Sequence, residues 1–176
     1  MGIKETLEIL ESSEEFKKFK ENHPEREMCA GFFIVDFFGN DNKRSIDFKC
    51  NDKIFTCSLR DDDSVKIQED KLVEVKGAKF PELKQINPNV EVDAEDAIGI
   101  AKTHTLDEGI AAKYNKAIAV LQKYKDEKIT NNEEKQVWNL TCMLDGLIIL
   151  HILVDAETGD ILKFERKSMM DLIKKK

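Results

Sequence analysis

Proline, glycine, tryptophan and tyrosine are scarce in this 176-residue chain, at three, eight, one and two residues. So little Pro and Gly leaves no collagen-like repeat and no Pro-rich tract. The four cysteines, Cys29, Cys50, Cys57 and Cys142, form no C-x-x-C pair, and His23, His104 and His151 are scattered. This lacks the close paired spacing of a structural zinc site, so no metal and no cofactor are expected. The thiols are expected to be reduced and packed as small hydrophobes. Long apolar runs are also missing: residues 146–154 are far too few to span a bilayer. The opening MGIKETLEIL has no apolar stretch of signal-peptide length and carries Glu5 and Glu8. A cytoplasmic protein without membrane attachment is therefore expected. Positive charge is short as well. The formal net charge is −7, and Lys174, Lys175 and Lys176 form the one basic cluster, which argues against a nucleic-acid partner. No GxGxxG, GxxxxGK[ST], HExxH or GxSxG occurs and no carboxylate pair stands out, so the chain is not expected to be an enzyme.

What is present describes a globular α+β protein. Hydrophobic residues make up 41% of the chain, enough for a substantial core, and charged residues of mixed sign make up 36%, as on a well-solvated surface. Ile3, Leu7 and Leu10 suggest a short helical turn. Ser12 and Glu15 have capping-box spacing ahead of a helix carrying Phe16 and Phe19, which Pro24 ends. A β-rich block follows. Gly31–Gly39 reads as a strand apolar on both faces, then the turn Asn40-Asp41-Asn42, then alternating segments from Ser45, Ile54 and Val65 separated by Asn/Asp turns. Residues 71–92 are a polar connector. Asp93 and Asp96 frame a second helix start with Ala94, Ala97, Ile98 and Ile100. A further helix, capped by Thr105 and Glu108, is expected from Ile110, Tyr114, Ala117, Ile118, Leu121 and Tyr124. Strands starting at Val137, Gly146 and Ile161 and a short amphipathic tail (Met169, Met170, Leu172, Ile173) close the chain.

The two halves look alike. SIDFKC-NDK-IFTCSL aligns with VWNLTC-MLDG-LIILHILV, matching Ile46 with Trp138, Phe48 with Leu140 and Cys50 with Cys142. An internal duplication is expected, giving two helix-plus-antiparallel-β-meander lobes: residues 1–70, a connector at 71–92, and residues 93–176.

Asp93-AEDAIGIA, Trp138 at the start of a strand, and Ile152-LVDAETGDIL together resemble a PepSY-type domain over about residues 93–166. Ala94, Ala97 and Ala101 correspond to that family's small-residue helix face, and Val154, Asp155, Thr158, Gly159 and Ile161 to its final hairpin. The resemblance implies a PepSY/cystatin-like α+β fold and a non-catalytic module that binds protein or acts as a peptidase modulator. Two features depart from the family: no export signal is evident, and Leu106–Lys125 is longer than the usual helix-to-strand connection. The residues give the hairpin a structural account of its own, with Asp155 accepting backbone N–H groups, Thr158 bonding locally and Gly159 supplying positive φ.

The expected function is non-enzymatic binding of a protein or peptide segment, through an edge strand or the apolar Gly31–Gly39 face. Candidate surface residues are Phe33, Phe37, Tyr114, Trp138, Leu150 and His151. The alternative is a carrier of a small apolar ligand in a cavity between helices and sheet, lined by Phe33, Trp138, Tyr114 and Leu150. A cysteine-dependent enzyme pairing Cys142 with His151, and a homodimer using the same exposed strands, are the remaining readings.

Overall fold

The computed structural model describes residues 2–70 and 83–168. The expected amphipathic tail, the C-terminal lysines and residues 71–82 of the expected connector lie outside these residues. Strands take 44% and helices 21% of the described residues, so the fold is mainly β.

Two nine-residue helices, α1 (Ile3–Glu11) and α2 (Glu14–Asn22), precede β1 (Glu27–Asp36), β2 (Lys43–Cys50), β3 (Lys53–Leu59) and β4 (Val65–Asp70). Then come α3 (Ala94–Asp107), β5 (Tyr114–Tyr124), β6 (Lys135–Leu144), β7 (Ile148–Asp155) and β8 (Ile161–Ser168). All eight strands form one antiparallel sheet in the order β4-β3-β2-β1-β5-β6-β7-β8. This corrects the expectation of two α+β lobes. β1 and β5 pair directly, from Gly31 opposite Leu121 to Asp36 opposite Lys116, and make the sheet continuous. Alternating hydrophobicity identifies strands but carries no information on which strand pairs with which. The duplication is not supported either. Two helices lead into β1 but one fourteen-residue helix leads into β5. The bulges, at Met28/Ala30, Tyr114/Lys116 and Leu153/Val154, fall at unmatched positions. Short alternating strands resemble one another for generic reasons, which is what the alignment detected.

Two helix assignments shift. Ser13, rather than Ser12, caps α2, its hydroxyl accepting from Phe16 N at 3.2 Å. Residues 114–124 form a strand where a helix was expected. Tyr114, Ala117, Ile118, Leu121 and Tyr124 fit helical spacing, but Ala117, Ala119 and Leu121 fit a period of two equally well and are fully buried. Pairing with β1 on one side and β6 on the other decides between the two periods. Thr105, expected as a cap, sits inside α3, which runs on to Asp107. The Asp93–Asp96 capping box forms, and Asp93 Oδ1 also accepts from Ile3 N at 3.1 Å, joining the starts of α1 and α3.

The three helices lie on one face of the sheet, α1 over β2 and β3, α2 against β4, and α3 over β5, β6 and β7. Beneath them run Phe33, Ile46, Phe48, Leu121, Trp138, Leu140, Leu150 and Ile152, all buried. Gly31 lets α1 settle close: a Cβ there would come within 2.5 Å of Ile3 Cδ1. On the opposite face Phe32, Ile34, Ile118 and Val120 are half-buried, and no described helix covers them.

Candidate functional site

The structure separates the six candidate surface residues into three places. Phe33, Trp138 and Leu150 are core, each at 0% exposure, with the Phe33 and Trp138 rings edge to face at 5.8 Å. Trp138 Nε1 donates to the Val92 carbonyl at 2.7 Å and holds the segment leading into α3. These three residues fill the helix–sheet layer and do not line the depression described below. His151 lies on the open face, its Nε2 2.7 Å from Asn139 Oδ1. Burial, with the Lys163 and Lys167 charges, holds its pKa below the ordinary imidazole value. Cys142 belongs to the other face: β6 pairs Thr141 with His151 and Cys142 with Leu150. Successive strand residues point to opposite sides, so a Cys142–His151 pair does not form. Burial pushes the Cys142 thiol up to about 12.

The turn residues Asp155, Thr158 and Gly159 hold one another through the backbone. Asp155 Oδ1 accepts from Glu157 N at 2.8 Å and Thr158 N at 3.2 Å, and Gly159 stands at φ +78°. Burial alone would raise the Asp155 pKa, but these N–H groups and Lys135, whose Nζ lies 3.3 Å away, bring it below the usual carboxylate value.

Phe37 and Tyr114, by contrast, come together at the end of the sheet where β1 leaves and β5 enters. Phe37 N donates to Asn115 O at 3.0 Å, and the two rings meet edge to face at 6.1 Å and 85°. Just beyond, the Asp36 carboxylate collects Phe38 N and Gly39 N on Oδ1, at 3.1 and 3.0 Å, and Asp41 N on Oδ2 at 3.3 Å. The Gly39 and Phe38 N–H groups hold its pKa below the usual value. This Asx turn projects the Phe38 ring outward at 68% exposure. The last turns of α3 form the opposite wall. Thr105 Oγ1 bonds Ala101 O and Tyr114 Oη, both at 2.7 Å, Leu106 is 66% exposed, and Lys102 Nζ lies 3.8 Å from the Phe37 ring centroid.

These walls enclose a depression of about 340 Å³ lined by Phe37, Phe38, Lys102, Leu106, Ile110 and Tyr114, with Lys113 and small residues at its margin. Thr105 and Tyr114 satisfy each other, and burial raises the phenol pKa, so Tyr114 stays neutral. The charges lining the depression are the ammonium groups of Lys102 and Lys113. An apolar anchor bearing a nearby carboxylate suits that combination. The same end carries Met143 and Leu147, 36% and 55% exposed. β5 pairing sets Met143 opposite Lys116, and Asp145 N donates to Lys113 O at 2.9 Å. All four exposed large hydrophobic residues among those described thus fall at one end of the sheet.

From sequence, Phe37 and Tyr114 are candidate surface residues and Phe38 belongs to the apolar Gly31–Gly39 face, whereas Lys102 and Leu106 are not among the expected site residues. A signal was available: Phe38 abuts the Gly39–Asn42 turn, where an aromatic residue has little chance of burial, and Leu106 is the lone large apolar residue between Lys102 and Gly109.

No protein-family model and no curated protein matches this chain. Among solved structures, a candidate lipoprotein from Clostridium difficile 630 is similar at a TM-score of 0.58 and 13% identity, over 87% of this chain and 90% of that one. At that identity the likeness concerns the fold alone. It lends no support to the PepSY resemblance, and no described helix is long and apolar enough to cross a membrane.

Proposed function

We propose that the protein is a binding module without catalytic chemistry of its own, and that it engages a protein segment through the end of the sheet formed by Phe37, Phe38, Lys102, Leu106 and Tyr114. The observation that carries this reading is the clustering of exposed apolar side chains around an apolar depression bearing a lysine. Exposed aromatic and aliphatic anchors beside a desolvated pocket are typical of interface hot spots. Lys102 favours a segment whose apolar anchor is followed by an acidic residue or a terminal carboxylate. The sheet edges are less suited. β4 ends in Gln68-Glu69-Asp70 and β8 carries Lys163, Glu165, Arg166 and Lys167, charges that discourage strand addition. A small apolar carboxylic acid is the second reading, since the depression lies in the lower range of ligand sites.

The test is selection of displayed peptides on the full chain, repeated on Phe38→Asp/Leu106→Asp. Enrichment of apolar-acidic peptides that bind the parent and not the variant supports the reading. Peptides that bind both proteins equally, or no enrichment at all, would sink it. Displacement of enriched peptides by a medium-chain fatty acid would move the reading to the small ligand.

A further inference from the structure

A second chemical grouping lies at the far end of the first four strands, under α2. His23 is the C-cap residue of α2, Glu25 follows it in the turn to β1, and Cys50 is the last residue of β2. One nitrogen of His23, one carboxylate oxygen of Glu25 and Sγ of Cys50 all lie within 4.8 Å of one another. Among the described residues this is the one group of histidine, cysteine and acidic side chains so arranged. His23 Nδ1 is 3.4 Å from Glu25 Oε1.

Several features pre-set the cluster. The His23 ring is held by Phe19 and Phe55, with centroids at 5.0 and 4.6 Å, which limits its rotation. Cys50 is 3% exposed. The side chains of His23 and Glu25 are 27% and 37% exposed, so the group opens to solvent on one side. Arg26 is the opposing charge, its guanidinium donating to the His23 carbonyl at 3.3 Å.

We infer that His23, Glu25 and Cys50 form a binding site for a borderline-soft divalent cation of the zinc type, with the fourth position open to water. Imidazole, carboxylate and thiolate together select zinc or cobalt over calcium and magnesium, which favour all-oxygen sets. Tetrahedral bonds of about 2.0–2.3 Å place ligand atoms roughly 3.3–3.8 Å apart. His23 Nδ1 and Glu25 Oε1 already have that spacing, and Sγ lies within 4.8 Å of both side chains' ligand atoms. On binding, the Cys50 S–H bond breaks, the sulfur lone pair forms the metal–sulfur bond, and the proton passes to solvent. Thiolate and carboxylate then carry two negative charges against the cation's two positive ones, leaving Arg26 facing a near-neutral site. Such an ion would clip the α2–β1 turn to the β2–β3 turn. Sequence spacing concealed the set because its members flank the start of β1 and the end of β2, which only antiparallel pairing brings side by side.

The test is titration of the reduced, metal-free full chain with cobalt(II), read by absorption. The expected result is one cobalt per chain with a sulfur-to-cobalt charge-transfer band and intense tetrahedral d–d bands, all removed by zinc(II). Cys50→Ser and His23→Ala should each lose these bands, Glu25→Gln should weaken binding, and Cys142→Ser should retain the parent spectrum. Circular dichroism checks folding, and the half-buried His23 and exposed Glu25 keep the test decisive if Cys50→Ser folds poorly. Absence of a thiolate band overturns the site. So does a band that persists unchanged in Cys50→Ser, or one that survives in both His23→Ala and Glu25→Gln.

Discussion

Trp138 is the position at which a core strut and a pocket wall make opposite predictions, and Trp138→Phe distinguishes them. The indole is fully buried, packs edge to face on Phe33 and donates to the Val92 carbonyl at 2.7 Å. Phenylalanine keeps a ring in place but removes the N–H. A buried carbonyl left without its donor costs about 1–3 kcal/mol. The smaller ring leaves roughly 40 Å³ unfilled, which at about 24 cal/mol per Å³ adds about 1 kcal/mol. The expected loss is therefore about 2–4 kcal/mol, a large share of the ~5–15 kcal/mol that stabilises an ordinary domain. Urea denaturation followed by circular dichroism measures it, because the substitution removes the chain's tryptophan fluorescence. The midpoint should fall while the slope with denaturant stays constant. Hydrogen exchange supplies a local readout: the Val92 N–H, bonded to Ala156 O at 3.0 Å, should lose protection as the segment before α3 loosens. A loss below about 0.5 kcal/mol, the scale of a surface substitution, would refute the strut and return Trp138 to a cavity wall.

Three further outcomes follow from the same geometry. Phe38→Asp/Leu106→Asp should change stability by no more than about 0.5 kcal/mol in urea while abolishing peptide capture, since both side chains already face water; a large loss would mean that they are packed. Asp47→Asn should be more stable than the parent at pH 7. Burial and the Asp70 charge raise the Asp47 pKa against the Thr56 hydrogen bond, which lowers it. The stability contributed by its neutral form is complete below the unfolded pKa of about 3.9 and is lost as pH rises through the higher folded value. The advantage should thus shrink toward pH 4 in a denaturation series, and a constant gap would contradict this. Gly159→Ala should cost about 1–2 kcal/mol, because φ is +78° and the new Cβ would meet Ile100 Cδ1 at 3.1 Å; a neutral result in the same assay would show that the turn relaxes.

The site was half legible for reasons that particular residues make clear. Phe37 stood out near the end of an apolar strand and Tyr114 as an aromatic residue on an expected helix, and the two do meet. Phe33, Trp138 and Leu150 carried the same apolar signal but lie inside, because an apolar residue reads identically whether it faces a core or a partner. Lys102 is the one lysine on α3, but nothing local says what it faces: only the packing of α3 across β5 brings its ammonium over the Phe37 ring. Residues 114–124 were misread because eleven residues satisfied two periodicities at once, and the tie is broken by strands remote in sequence.

By itself, the sequence determined what is local. The α3 capping box at Asp93 and Asp96, the Asn/Asp turns between β1 and β4, the Asp155–Gly159 turn and the alternation of most strands follow from side chains acting on their own backbone within a few residues. Only the tertiary structure decided that β1 and β5 join the two halves into one sheet and that His151 and Cys142 look in opposite directions. It likewise decided that Phe38 and Leu106 are left in water at one end while His23, Glu25 and Cys50 gather at another. Those outcomes depend on pairing register and helix placement, which arise from burying distant surfaces together.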